Sequence, residues 1–112
     1  MKKPIVVVLT DEAAAFVADQ IPAVRKKMVV AFEKTEAGFQ GNWFKKLSDT
    51  DELWEFRIDG PNHTYRLFAF WDSRGAASTL VVCTHGLDKK TQKMPPADLA
   101  KAERIRRAYF GQ

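Results

Sequence analysis

The spacing of hydrophobic positions changes along the chain, and this change predicts where strands and helices lie. Residues 5–10 form a run rich in β-branched side chains, which predicts a buried strand. Thr10 or Asp11 can then cap a first helix. Pro22 interrupts this helix and begins a second one, because proline lacks the N–H that an interior helical position needs.

The second helix has apolar residues at helical spacing and ends near two glycines. Its predicted apolar side consists of Val24, Met28, Val29 and Phe32. Gly38 and Gly41 are predicted to end it.

In the middle of the chain, side chains alternate between two sides with a period of two residues, which is typical of strands. Between residues 53 and 58, Trp54, Phe56 and Ile58 point one way, while Leu53, Glu55 and Arg57 point the other. Residues 43–47 are a candidate short strand, and residues 64–71 and 78–85 are further strands. The short links between them favour antiparallel pairing.

The last part of the chain is predicted to be a loop followed by a helix. Residues 86–94 form the loop, and Pro95 and Pro96 open a helix that runs to about Tyr109. The element order is β-α-α-β-β-β-α. We therefore expect one α+β domain over residues 1–112, with a small antiparallel sheet, two N-terminal helices and a C-terminal helix.

Positive charge is concentrated near the C-terminus. The formal net charge is +4, and residues 85–112 alone carry seven basic and three acidic side chains. Such a cluster attracts phosphate groups or an acidic partner, although a solvated helix face explains it equally well.

The remaining composition excludes several classes of protein. A single cysteine, Cys83, cannot form an intramolecular disulfide, which fits the cytoplasm. His63 and His85 have no metal-ligand spacing, so we predict no metal and no cofactor. The apolar run after the N-terminus is too short for a signal peptide or a membrane span.

One set of polar residues can carry chemistry. Glu55 and Arg57 share a strand face, and Arg66 on the next strand comes within reach if the two strands pair antiparallel. A carboxylate can take a proton from a 2′-hydroxyl, and cations can stabilise the charge on a phosphodiester. The alternative is a surface salt bridge between Glu55 and Arg57.

Several segments resemble a known family. They are Lys46-Leu47, Leu53-Trp54-Glu55-Phe56-Arg57, Tyr65-Arg66, His85-Gly86, Lys89 to Pro95, and Ala102 with Arg106, Arg107 and Tyr109. Together they resemble the phage-derived branch of the RelE/HigB-like toxins, over roughly residues 43–110. The resemblance implies a ribosome-dependent endoribonuclease that cuts messenger RNA and is silenced by a cognate antitoxin, often of the helix-turn-helix type.

The resemblance also assigns roles to residues. Arg66 matches an arginine that binds the scissile phosphate, Arg57 an active-site cation, and Glu55 a position where some relatives have a general base. Lys89 or Lys90 lies in the region of a second phosphate-stabilising residue, and Lys90 completes the predicted catalytic set. The predicted RNA-binding or phosphate-binding residues are Lys45, Lys46, Lys89, Lys93, Arg106 and Tyr109.

Two departures leave the general acid open. No histidine follows His85, and Leu87 stands where an aromatic residue is expected. Two other functions therefore remain open at this point: a non-catalytic, ParE-like inhibitor of DNA gyrase, and an inactive protein that only binds an antitoxin.

Overall fold

The computed structural model describes residues 3–89 and 95–112. Within these ranges the chain forms five strands and three helices, and the predicted α+β class is confirmed. The strands are β1 (Ile5–Leu9), β2 (Phe44–Lys46), β3 (Trp54–Gly60), β4 (His63–Asp72) and β5 (Thr79–Lys89). The helices are α1 (Asp11–Ala18), α2 (Pro22–Glu36) and α3 (Pro96–Phe110). None of these helices is long and apolar enough to cross a membrane.

All five strands belong to one mixed sheet, in the order β1-β5-β4-β3-β2. The pairs β2–β3, β3–β4 and β4–β5 are antiparallel, as predicted. The first strand differs, because β1 lies parallel to β5. The helices α1 and α2 carry the chain from β1 at one edge of the sheet to β2 at the other.

The two N-terminal helices begin and end where local chemistry requires. Thr10 caps α1, since its Oγ1 accepts a hydrogen bond from the N–H of Ala13. Pro22 occupies the first turn of α2. This helix ends at Glu36, and Gly38, just beyond the cap, has a φ of 87° that allows the N–H of Phe39 to reach the carbonyl of Lys34.

One face of the sheet packs against α1 and α2. Its core includes Phe56 and Leu67 from the sheet and Met28 from α2, all fully buried. The apolar side of α2 differs from the prediction at one position. Val29 is exposed, and Ala31 is buried instead, because the buried stripe follows the helical repeat from Val24 through Met28 to Ala31.

The opposite face of the sheet is covered by α3. Leu53, Phe68 and Ala102 form a second buried cluster, with Leu87 and Leu99 packed against it. Both faces of β3 and β4 are therefore shielded over part of their length. The polar residues on the α3 side of the sheet therefore lie next to this second buried cluster. The alternation of polar and apolar residues in the sequence did not predict that burial.

The strand β5 continues through residues predicted to be a loop. Gly86 and Lys89 belong to the strand, since Gly86 pairs with Leu67 and Lys89 pairs with Thr64. The ladder continues because β4 begins at His63 and offers partners for this part of β5. Lys89 is thus a strand residue, and the prediction that placed it in a loop was wrong.

The end of α3 is held to the sheet by a polar cluster around Asp72. This buried carboxylate accepts hydrogen bonds from Arg74 Nε at 3.0 Å and from the Tyr109 hydroxyl at 2.7 Å. The bond from Arg74, followed by that from Tyr109, lowers the pKa of Asp72 far below its usual range. Tyr109 also packs edge-on against Phe70.

This cluster predicts how stability responds to acid. A carboxyl group whose pKa is lowered on folding stabilises the fold above its unfolded pKa, and the contribution is lost as the pH falls. We expect Tyr109→Phe to destabilise the protein by about 1 kcal/mol at neutral pH, the usual scale for one hydrogen bond. Urea unfolding from neutral to acidic pH checks this. A Tyr109→Phe protein with unchanged stability at neutral pH would contradict it.

Candidate phosphate-binding site

A buried ion pair joins β3 and β4 on the face that α3 partly covers. The Arg66 Nη1 atom donates to both carboxylate oxygens of Glu55 at 2.8 Å. The side chain of Glu55 is 11% exposed and that of Arg66 is 6% exposed. Across the β3–β4 ladder, Arg66 pairs with Arg57 and Glu55 pairs with Phe68, so the two side chains meet diagonally.

The sequence predicted two arrangements for these residues, a set near a phosphodiester and a surface salt bridge. Glu55 and Arg57 do share a strand face, as the alternation predicted. Glu55 is buried and paired with Arg66, which the interpretation as a surface salt bridge with Arg57 did not include. The Nε of Arg57 lies 3.6 Å from Oδ1 of Asp59.

Two more cations stand beside the buried pair. Lys45 lies opposite Glu55 in the β2–β3 ladder and is exposed. Arg57 follows Glu55 by two residues and is partly exposed. Both residues line a cavity of about 430 Å³ next to Glu55. The complete lining consists of Asn42, Trp43, Lys45, Glu55, Arg57 and Asp59.

The cavity brings two carboxylates, Glu55 and Asp59, together with two cations that solvent can reach. Glu55 lines it, whereas Arg66 does not and lies almost completely buried. The Nε of Arg66 is buried and has no hydrogen-bond partner in the described part of the chain. Arg66 therefore fixes the direction of the Glu55 carboxylate, and Lys45 and Arg57 are the cations that an anion in the cavity would meet first.

Not all predicted RNA-binding residues reach this cavity. Lys46 follows Lys45 on β2 and therefore points to the other face of the sheet, where its Nζ donates to the carbonyl of Thr50 at 2.7 Å. Arg106 pairs with Glu103 at 2.8 Å, and this hydrogen bond raises the pKa of Arg106. Tyr109 is held by Asp72.

The side chains of three lysines predicted to bind RNA or phosphate, Lys89, Lys90 and Lys93, are not among the described ones. Lys90 and Lys93 lie outside the described residues. For Lys89 the structure describes the backbone, which ends β5 opposite Thr64. Their roles remain predictions.

Trp43, Asn42 and Asp59 line the cavity but were not predicted from the sequence. Trp43 lies in the turn before β2, and its Nε1 donates to Thr35 Oγ1 on α2 at 3.1 Å. The candidate strand at residues 43–47 is therefore shorter in the structure, and strand alternation gives no signal for Trp43 at the cavity.

His85 and Cys83 are buried and do not line the cavity. The imidazole of His85 contacts Thr84 and Asp98 and stacks on Phe68, and burial lowers its pKa. These contacts hold His85 as a structural residue between the sheet and α3. Burial raises the pKa of the Cys83 thiol to about 12, so Cys83 is a core residue and not a nucleophile. His63 is half-buried and contacts Asp88 at 2.8 Å.

The fold and the cavity define a small α+β protein with a polar cavity on its sheet, lined by two cations and two carboxylates. Residues 16–107 match the family described as phage derived protein Gp49-like (DUF891). Since the match covers most of the chain, the protein belongs to this Gp49-like family. No curated protein matches the chain.

Proposed function

We propose that this protein is the toxin of a toxin–antitoxin pair and inhibits translation by cutting messenger RNA on the ribosome. Membership of a phage-derived family supports the resemblance to the phage-derived branch of the RelE/HigB-like toxins. The observation that carries the proposal is the buried Glu55–Arg66 pair below Lys45 and Arg57.

In this proposal Glu55 is the general base. Its carboxylate lines the cavity and is held by Arg66 Nη1 at 2.8 Å, so it has a fixed direction toward a bound substrate. It would accept the proton of a ribose 2′-hydroxyl, and the resulting oxygen would attack the adjacent phosphorus. The P–O5′ bond then breaks, leaving a 2′,3′-cyclic phosphate and a 5′-hydroxyl end.

Lys45 and Arg57 stabilise the negative charge that develops on the phosphate oxygens. Both line the same cavity as Glu55, so a phosphodiester there can contact all three side chains. The leaving 5′ oxygen takes a proton from water or from Lys90, a predicted residue of the catalytic set, and Glu55 releases the proton it accepted to solvent. Arg66 acts through Glu55 by fixing it, which differs from the direct phosphate contact that the resemblance implies.

The test compares Glu55→Gln with Glu52→Gln, an exposed acid in the turn before β3. In Glu55→Gln the new amide oxygen can still accept from Arg66, but it cannot take the proton. We expect Glu55→Gln to reduce RNA cleavage by about 10²- to 10⁴-fold, the usual contribution of a general base. Glu52→Gln should leave cleavage unchanged. New RNA 5′ ends are mapped after inducible expression and with purified protein on translating ribosomes.

The same experiment separates the alternatives. Growth arrest without new RNA ends would overturn the ribonuclease and point to a non-catalytic inhibitor, such as one acting on DNA gyrase. Absence of arrest with every variant, including wild type, would point to a protein that only binds an antitoxin. Cuts that persist in Glu55→Gln would remove Glu55 from the mechanism.

A further inference from the structure

A second cavity lies between the end of α2 and the sheet, on the face of the sheet opposite Glu55. It has a volume of about 460 Å³, and Thr35 of α2 lines one side of it. Its aromatic lining, which gives this aromatic pocket its name, consists of Phe39, Phe44, Trp54 and Trp71. The proposed cleavage reaction uses none of these side chains.

Three of the four rings form a wall that is already assembled. Phe44 stacks on Trp54 with the ring centres 5.0 Å apart, and Trp54 meets Trp71 edge-to-face at 5.8 Å. Phe44 and Trp71 also pack against the core under α2. Because these contacts hold the rings in place, a ligand would meet a preformed surface and would not have to order it.

The fourth ring stands in solvent beside this wall. Phe39 follows the end of α2 and is 67% exposed. A flat ligand placed between Phe39 and the wall would remove this ring from water. It would also gain stacking energy on the other rings, which an aliphatic ligand would not. The aromatic lining therefore favours a planar aromatic ligand.

The polar lining of the pocket is positively charged and carries amide groups. Lys45 and Lys46 line it, both exposed, together with the side chains of Gln40 and Asn42. No acidic side chain is among its lining residues in the described part of the chain. Amides can pair with the edge of a base, and lysines attract a phosphate, so a nucleotide matches the aromatic and the polar lining together.

The aromatic pocket meets the candidate site at the edge of the sheet. Asn42 and Lys45 line both the pocket and the cavity beside Glu55. The strand between them, β2, is only three residues long and is the last strand of the sheet. A single nucleic-acid strand that crosses β2 can therefore reach both cavities at once.

We propose that the aromatic pocket binds one unpaired base of the RNA strand whose phosphodiester lies beside Glu55, stacked between Phe39 and the aromatic wall. Lys46, which points away from Glu55, then contacts the phosphate next to this base. The binding of a base is independent of cleavage. The assignment of that base to the substrate strand rests on the proposed function.

The experiment uses a single-stranded 2′-O-methyl RNA of about six nucleotides, which lacks the hydroxyl needed for cleavage. Its affinity for the full-length protein is measured by fluorescence anisotropy. We expect Phe39→Ala to weaken binding by about tenfold, within the usual range for one base–aromatic stacking contact. Ile21→Ala is the matched control, since Ile21 is 60% exposed but does not line the pocket, and it should bind like the wild type.

Oligonucleotides that lack one base test whether Phe39 contacts a base. Removing the base at one position should weaken binding by about the same factor, and Phe39→Ala should then have no further effect. Lys46→Gln should instead weaken the intact and the base-deleted oligonucleotide equally, because it contacts a phosphate. Equal affinity of Phe39→Ala and Ile21→Ala would overturn the proposal. So would full affinity after the removal of each base in turn.

Tryptophan fluorescence reports on the pocket directly. The chain has three tryptophans, so Trp43→Phe leaves Trp54 and Trp71, which both line the pocket. The intact oligonucleotide should quench their emission, whereas the one that lacks the bound base should not. Self-association of the wild type that Phe39→Ala abolishes would overturn the proposal, because a second copy of the chain would then cover the pocket.

Cleavage assays separate this proposal from the proposed function. If the wild-type protein cuts no RNA, the proposed function fails, but the dependence of binding on Phe39 still decides whether the pocket binds a base. If it cuts RNA, Phe39→Ala should raise KM by about tenfold and leave kcat unchanged, whereas Glu55→Gln lowers kcat. An unchanged KM in Phe39→Ala would overturn the assignment to the substrate strand. A free mononucleotide that binds as tightly as the oligonucleotide would overturn it too.

Discussion

Replacing Arg66 by methionine should lower the free energy of unfolding by about 3–5 kcal/mol, because it leaves the buried Glu55 carboxylate without its cation. Arg66 Nη1 contacts both oxygens of Glu55, and the two side chains are almost completely buried. Removing one member of such a pair is costly, since the remaining charge is held away from water. Urea unfolding at neutral pH measures the loss.

The double variant Glu55→Leu/Arg66→Met provides the control. It removes both charges and replaces them with apolar groups, so its stability should lie close to that of the wild type and well above that of Arg66→Met. Equal loss in the single and double variants would show that Arg66 contributes through packing rather than through Glu55. The double variant should also fold without cleaving RNA, which separates the stability of the pair from its proposed chemistry.

Replacing Gly86 by alanine should destabilise the protein by about 3 kcal/mol, the upper part of the usual range for overpacking. A Cβ atom at Gly86 would overlap the ring of Phe16, well inside van der Waals contact. Because Gly86 is in β5 and Phe16 is in α1, the added methyl group would push this helix away from the sheet. Thermal and urea unfolding of the purified variant check this expectation.

Two further variants test the cause. Gly75→Ala should be nearly neutral, because its Cβ would meet only the carbonyl of Ser78, at 3.3 Å. A smaller side chain at position 16 should relieve the clash, so Gly86→Ala/Phe16→Leu should lose less stability than the sum of the two single variants. Additive losses would mean that Gly86 and Phe16 do not compete for space.

Local sequence patterns correctly predicted helices and strands where a single local cause, such as a proline or a period-two spacing, determines the backbone conformation. Pro22 begins α2 in the structure as in the prediction, because the proline ring and the missing N–H suit a first helical turn. The alternation around Phe56 also survives in β3, since period-two spacing follows directly from strand geometry.

The predictions failed where a distant part of the chain determines how far a strand extends or which strand it pairs with. Gly86 was predicted to begin a loop, but it stays in β5 because β4 extends far enough to offer Leu67 as its partner. The parallel pairing of β1 with β5 depends on where two helices deliver the chain, which no local pattern encodes.

The sequence predicted which of these polar residues lie near one another, but not how deeply they are buried. The spacing of Glu55, Arg57 and Arg66 correctly placed them near one another, because antiparallel pairing follows from the short turn between β3 and β4. The burial of Arg66 could not be predicted, since it depends on the tertiary environment of that face of the sheet. The opposite direction of Lys46 follows from its exact register in β2, and a one-residue shift would reverse it.

The parallel pairing of β1 and β5 also determines the order in which the protein can fold during its synthesis. Thr10, at the end of β1, donates to the carbonyl of Thr84, 74 residues later in the chain. The ribosome makes β1 first, yet this strand has no neighbour in the sheet until β5 has been made. A chain that stops before residue 79 lacks the strand between β1 and β4. Early termination therefore releases fragments that cannot complete the sheet, and only nearly full-length translation yields the folded protein.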